Sequence, residues 1–264
     1  MKNFLKILFA TVIFASFPIA NGVSAQAATF GKIMWGKTEL KIGQIGKVTV
    51  LQDTPLVKPT LDGTLTTIRT LKKGEEYRVY SYKSSLNGLY GVGAGSFVQK
   101  NAKIKYETPS KKKLEILTFQ KLFQEARLKQ TSATQGTYSR QDILTLFNTN
   151  FTDEFTSQFI SSSMLKKEMN GVTHYYFPQG TDSINTSLFV EENLSWTEKT
   201  TITHEQTTTI DKDNKKGIHD YVKISEYQKG NELEKPHTYT IILLKLENGS
   251  YKIVDIQKQF STSK

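Results

Sequence analysis

The chain has 264 residues, with 35 lysines and arginines against 25 aspartates and glutamates, four histidines and no cysteine. The missing cysteine excludes disulfides, thiolate metal sites, cysteine nucleophiles and a lipid-modified N-terminal cysteine. The formal charge of +10 is almost wholly lysine, since Arg69, Arg78, Arg127 and Arg140 are the only arginines. Hydrated ammonium groups suit a polyanionic surface, whereas base reading favours the planar guanidinium fork, so no nucleic-acid partner is expected.

In chain order, Lys2 and Lys6 precede an apolar run from Ile7 to Ala20, and small residues follow at Val23, Ser24, Ala25 and Ala27. This predicts a cleavable signal peptide over 1–27, with cleavage after Ala25 or Ala27. The run falls short of the roughly 20 residues that cross a bilayer. No later stretch approaches it, so no stable membrane span is expected after cleavage. Loss of Lys2 and Lys6 leaves +8 on the mature chain. The expected address is secreted or wall-associated, and export without cysteine is typical of Gram-positive bacteria.

Residues 28–106 are glycine-rich and β-like. Segments 47–51 and 76–82 have strand length, and Asp62-Gly63, Lys73-Gly74 and Asn87-Gly88 punctuate as turns. Five or six short strands in this length predict a small all-β barrel. The polar segment 107–113, with Pro109 and three lysines, reads as a linker.

Residues 114–264 predict an α+β domain. Ile116, Phe119, Leu122, Phe123 and Ala126 recur at helical spacing. Ser139 and Asp142 make a capping box ahead of Ile143, Leu144 and Phe147, and Thr152 caps a third helix carrying Phe155, Phe159 and Ile160. Strands are expected over 173–177, 194–210, 218–227, 239–246 and 251–260, forming a curved antiparallel sheet, with turns at 211–217 and Asn248-Gly249. The strand through Tyr239, Ile241 and Leu243 should be central and covered on both faces. An apolar phase slip between Ile253 and Val254 predicts a β-bulge.

No catalytic or metal constellation emerges, and no cofactor is expected. His204-Glu205-Gln206-Thr207-Thr208 lacks the second histidine of a zinc-protease helix and sits in strand-like sequence. Residues 211–217 break the calcium-loop pattern. Gly91 to Ser96 lacks a following Gly-Lys-Ser or Gly-Lys-Thr and suits close strand crossing better than phosphate binding. His174, His204, His219 and His237 are scattered, as surface or packed side chains would be. The most suggestive cluster is Tyr77, Tyr80, Tyr82 and Tyr90 interleaved with Lys72, Lys73, Arg78 and Lys83. Aromatic faces stack on sugar rings while nearby cations attract phosphates; the same tyrosines could instead fill the barrel core.

Trp35 to Val50, Leu71 to Tyr80 and Tyr90 to Gly93 together resemble the bacterial Src-homology-3-like modules of secreted and wall-associated proteins from spore-forming Gram-positive bacteria. The resemblance covers about 70 residues and implies binding to anionic wall polymers or glycan. Leu114 to Phe260 resembles an uncharacterised family of exported bacterial proteins, with an element order similar to the cone-shaped ketosteroid-isomerase-like fold. The expectation is therefore an exported, non-enzymatic, envelope-associated protein. The alternative is a small-ligand site or simple acid/base enzyme in a pocket of the second domain, lined by residues such as Phe155, Phe159, Tyr175 and Tyr176.

Overall fold

A computed structural model describes residues 31–178, 187–191, 194–197, 199–210, 216–230 and 234–260. The expected signal peptide and most of the 211–217 turn lie outside these residues. Ten strands come first: β1 (Met34–Trp35), β2 (Thr38–Glu39), β3 (Gly46–Val50), β4 (Thr54–Pro59), β5 (Leu65–Leu71), β6 (Glu76–Val79), β7 (Ser81–Lys83), β8 (Leu89–Gly93), β9 (Ser96–Gln99) and β10 (Ile104–Glu107). Then follow α1 (Lys111–Ala133), β11 (Thr137–Ser139), α2 (Arg140–Phe147), α3 (Asp153–Ser163), β12 (Leu165–Met169), β13 (Val172–Tyr176), β14 (Thr201–Ile210), β15 (Lys216–Gln228), β16 (His237–Lys245) and β17 (Tyr251–Phe260). The described chain is mostly antiparallel β-sheet with three helices.

The expected closed barrel is not formed. The N-terminal strands instead make two open sheets, β10-β3-β6 and β5-β4-β9-β8-β7. Val48, Val50, Val79 and Ile104 of the first pack with Leu56, Tyr90 and Val98 of the second in one buried cluster. Closure fails at β5, which pairs only with β4 and exposes Thr66, Thr67, Ile68, Arg69 and Thr70. A mainly polar strand has no apolar row to bury against a closing partner.

The β1-β2 hairpin joins two regions of the molecule. Ile33 and Leu40 are buried in the same cluster as α1 and the long C-terminal strands, although they precede the expected boundary at 106. On the other side, the Lys37 N–H donates to Glu76 Oε2 at 2.7 Å and Lys47 Nζ donates to Glu76 Oε1 at 3.1 Å. Gly36 permits this approach, since it has φ +65° and an added Cβ would strike the Glu76 carboxylate. The Arg78 guanidinium donates to the Glu39 carbonyl at 2.6 Å, tying β2 to β6.

Helix α1 begins within the segment read as a linker. Ser110 caps it by accepting from the Lys113 N–H at 3.3 Å, so three lysines occupy the first turn. The capping box at Ser139 and Asp142 is present, and Thr152 accepts from the Phe155 N–H. Buried faces of all three helices pack on β15, β16 and β17 through Val222, Ile224, Tyr239, Ile241, Leu243, Ile253 and Ile256.

Six phenylalanines fill the interior in ring contact. Phe147 meets Phe151 at 4.8 Å and Phe159 at 5.2 Å, Phe151 stacks on Phe155 at 4.9 Å, Phe159 meets Phe189 at 5.2 Å, and Phe189 meets Phe177 at 5.5 Å. Phe151 packs against Phe155, and Phe147 and Phe189 against Phe159, the two residues expected on a pocket wall.

The C-terminal sheet has the order β14-β15-β16-β17, which places β16 inside it. One face of β16 is buried, at His237, Tyr239, Ile241 and Leu243; the face expected to be equally covered is only half-buried, at Ile242 and Leu244. Residues 194–197, 199 and 200 are not strand, and Leu194 and Trp196 turn inward as core residues. Strand β13 pairs with β11 and β12 in a separate sheet.

The predicted bulge is present. Ile242 pairs with Asp255 and Leu243 with Ile253, leaving Val254 as the extra residue. Beside it the edge of β17 is covered: the Ile253 N–H donates to the Asn150 carbonyl at 2.7 Å, and its carbonyl accepts from the Thr152 N–H at 3.0 Å. The bulge therefore places the start of α3.

Candidate functional site

The sequence-derived patch separates into two groups. Tyr82 faces Tyr90 across the β7-β8 ladder, with ring centroids 5.2 Å apart. Tyr90 in turn stacks on Tyr106 of β10 at 4.6 Å with planes 10° apart. Tyr90 is buried and Tyr106 half-buried, whereas Tyr82 is 47% exposed. Burial raises the Tyr90 phenol above its ordinary pKa, with smaller contributions from Tyr82 and Tyr106.

An outward ring supported by two inner rings is held rigidly, which lowers the entropy lost on stacking a ligand against it. Gly88, with φ +94°, lies beneath the Tyr82 hydroxyl and beside Lys100. Any Cβ there would push the ring away. Lys100 has no ion pair among the described residues, whereas Lys83 lies over Phe97 at 4.8 Å on the other face of the sheet. Leu86, exposed with φ +57°, borders this surface through the Gln99 side chain, which donates to its carbonyl.

The other predicted residues are held by internal partners. Lys72 pairs with Asp53 at 2.7 Å, and the Lys73 N–H donates to the same carboxylate. Those two bonds hold the Asp53 carboxyl below its ordinary value. The Tyr77 hydroxyl donates to Glu75 and accepts from Arg69, and its ring packs on the buried cluster between the sheets. Arg78 is engaged by the Glu39 carbonyl. Tyr80 is exposed, but it occupies the passage from β6 to β7 and stands outside the ladder. Tyr106 was missed because it lies beyond the expected cluster; its phase on β10 opposite Val48 is the available signal.

Two polar clusters stand out among the described residues of the C-terminal half. The first lines an open groove of about 440 Å3 between the start of α1 and the sheet, bordered by Lys111, Glu205, Asp220, Tyr221 and Tyr251. There His204 Nε2 lies 3.3 Å from Glu115 Oε1. His204 is on a strand, as its surroundings predicted, so it has no helical partner for a zinc-protease site.

The second cluster is buried. His237 Nε2 lies 3.9 Å from Glu191 Oε1 and 3.9 Å from Glu234 Oε1, and Lys258 Nζ bonds those carboxylates at 2.5 and 2.8 Å. The Tyr239 hydroxyl donates to the Phe189 carbonyl and accepts from the Glu191 N–H, which fixes Glu191. Gln130 bonds both Leu188 and Val190 and holds the preceding segment to α1. The Lys258 ammonium holds the Glu234 carboxyl below its ordinary value. Burial lowers the Lys258 pKa, but bonds to Glu191 and Glu234 outweigh it and leave the ammonium raised. Only the Glu234 to His237 spacing is local, so the sequence gives no sign that Glu191 and Lys258 join them.

No helix among the described residues is long and apolar enough to cross a membrane. Comparison with family models, curated proteins and solved structures finds no match.

Proposed function

We propose that the protein is an exported, non-enzymatic, envelope-associated protein that binds an anionic, sugar-bearing wall polymer through its N-terminal sheets. In this reading, those sheets act as a Src-homology-3-like module, and the residues after 113 form a second domain of the cone-like exported type. The observation carrying the proposal is the tyrosine ladder, which ends in an exposed ring beside Lys100. A ring face takes up the apolar side of a sugar, and ammonium groups follow a phosphate backbone. The net charge of +8 expected after cleavage supplies attraction that salt screens.

Mature protein is expected to sediment with purified cell-wall sacculi and to be released as salt rises. Tyr82→Ala should weaken that association roughly 10- to 100-fold, and Tyr82→Phe should retain most of it, because the ring supplies the contact. Equal recovery of wild type and Tyr82→Ala would remove the proposal. Substitution is a cleaner test than deletion of 28–106, which would also strip Ile33 and Leu40 from the other core.

A second reading places a small polar ligand, or simple acid/base chemistry, in the groove beside Glu115 and His204. Their 3.3 Å contact at an open concavity favours it. It predicts that ligands found by a fragment screen perturb the His204 ring resonances and are lost in His204→Ala, with sacculus binding unchanged.

A further inference from the structure

We propose that Glu191, Glu234 and His237 form a binding site for a divalent first-row transition ion, with Zn2+ the best match, and that Lys258 is an internal cation which the ion displaces. This site is independent of the tyrosine surface. His237 has only 1% of its side chain exposed, and Nδ1 lies 3.0 Å from the Lys235 carbonyl, which can only accept. The Nδ1 proton is thereby fixed, and Nε2 is the nitrogen turned toward the carboxylates. Nε2 is buried with no hydrogen-bond partner, as is Oε2 of Glu191. Two such atoms in one cluster are unusual, because an unmet buried polar atom normally costs about 1–3 kcal/mol.

The donor set explains the choice of ion. One ligand atom from each of Glu191, Glu234 and His237 lies within 4.8 Å of the other two. A tetrahedral ion with bonds of ~2 Å spaces its ligands by roughly 3.3 Å, so the 3.9 Å histidine-carboxylate gaps need only a small contraction. Imidazole with two carboxylates suits zinc and its neighbours, whereas calcium and magnesium favour oxygen alone.

The two carboxylates already hold one positive charge, the Lys258 ammonium. It makes no bond to His237 Nε2, whose need it leaves unmet. A metal ion would satisfy all three side chains, while the ammonium moves out into solvent. Access exists, because the Glu234 and Lys258 side chains are 34% and 20% exposed, and Glu234 also borders a groove of about 310 Å3 beside Lys199 and Glu226. The fourth position is then open to water or to an anionic ligand.

The test is calorimetric titration of the metal-free mature chain with ZnCl2, alongside Lys258→Met and Glu234→Gln, with each variant's fold checked by circular dichroism. One ion per chain is expected for wild type. Lys258→Met should bind at least about tenfold tighter because its competitor is gone, and Glu234→Gln at least about tenfold weaker. Zinc should also raise the thermal midpoint of Lys258→Met more than that of wild type. Co2+ in place of zinc should give the intense visible bands of a tetrahedral site. No binding in Lys258→Met, or equal affinity of Glu234→Gln and wild type, would overturn the assignment.

Discussion

Replacing Phe159 with alanine is expected to cost about 3–5 kcal/mol of stability and to lower the thermal midpoint by roughly 10 °C. Phe159 is fully buried and touches both Phe147 and Phe189, so it joins α3 and α2 to the segment before Glu191. The cavity could close only by moving two helices against the sheet, and the bonds from Asn150 and Thr152 to Ile253 resist that movement. Phe159→Leu should lose substantially less, because much of the volume remains. Thermal unfolding of the three proteins checks this; an alanine variant within 1 °C of wild type would show that the ring cluster is not a packed core.

The second large effect is expected at Glu76. The side chains of Lys47 and Glu76 are only 6% and 12% exposed, and Lys47 also lies 5.4 Å from the Trp35 ring. Glu76→Ala leaves the buried Lys47 ammonium with only the more distant Glu107 carboxylate, at 4.0 Å, and frees the Lys37 end of the hairpin, at a cost of about 2–3 kcal/mol. Lys47→Met combined with Glu76→Leu should recover most of that loss, since an apolar pair needs no desolvation of charge. Burial raises the Glu76 pKa, but the Lys37 N–H and the Lys47 ammonium outweigh it, and the carboxyl rests below its ordinary value. Its stabilisation is therefore complete above the unfolded carboxyl pKa of about 4.3 and lost as the pH falls through the lower folded value. Denaturant unfolding against pH, followed by tryptophan fluorescence in a Trp196→Phe background so that Trp35 is the reporter, should show a shallower acid-side loss in Glu76→Ala. Identical acid limbs would contradict this role.

Local signals were legible where the sequence alone determines them. Ser139 and Asp142 cap α2 because their bonds close within three residues, and the slip between Ile253 and Val254 exposed the bulge because strand alternation permits no other register. What depended on distant partners was not legible. The exposed polar residues of β5 leave the two N-terminal sheets open, although each strand taken singly has barrel-like length. Lys72, Tyr77 and Arg78 share a stretch of sequence with Tyr82, yet Asp53, Glu75 and Glu39 engage them. Tyr106 joins the ladder from 16 positions beyond Tyr90, and Glu191 meets Lys258 only through tertiary packing.

Polymer binding at the ladder has a residue-level test in two-dimensional amide NMR of the isotope-labelled mature chain, titrated with a soluble sugar-phosphate polymer. Shifts should concentrate at Tyr82, Lys83, Gly88 and Lys100 and disappear in Tyr82→Ala. Shifts confined to Lys72, Lys73 and Arg78, or to the groove at His204, would contradict the account.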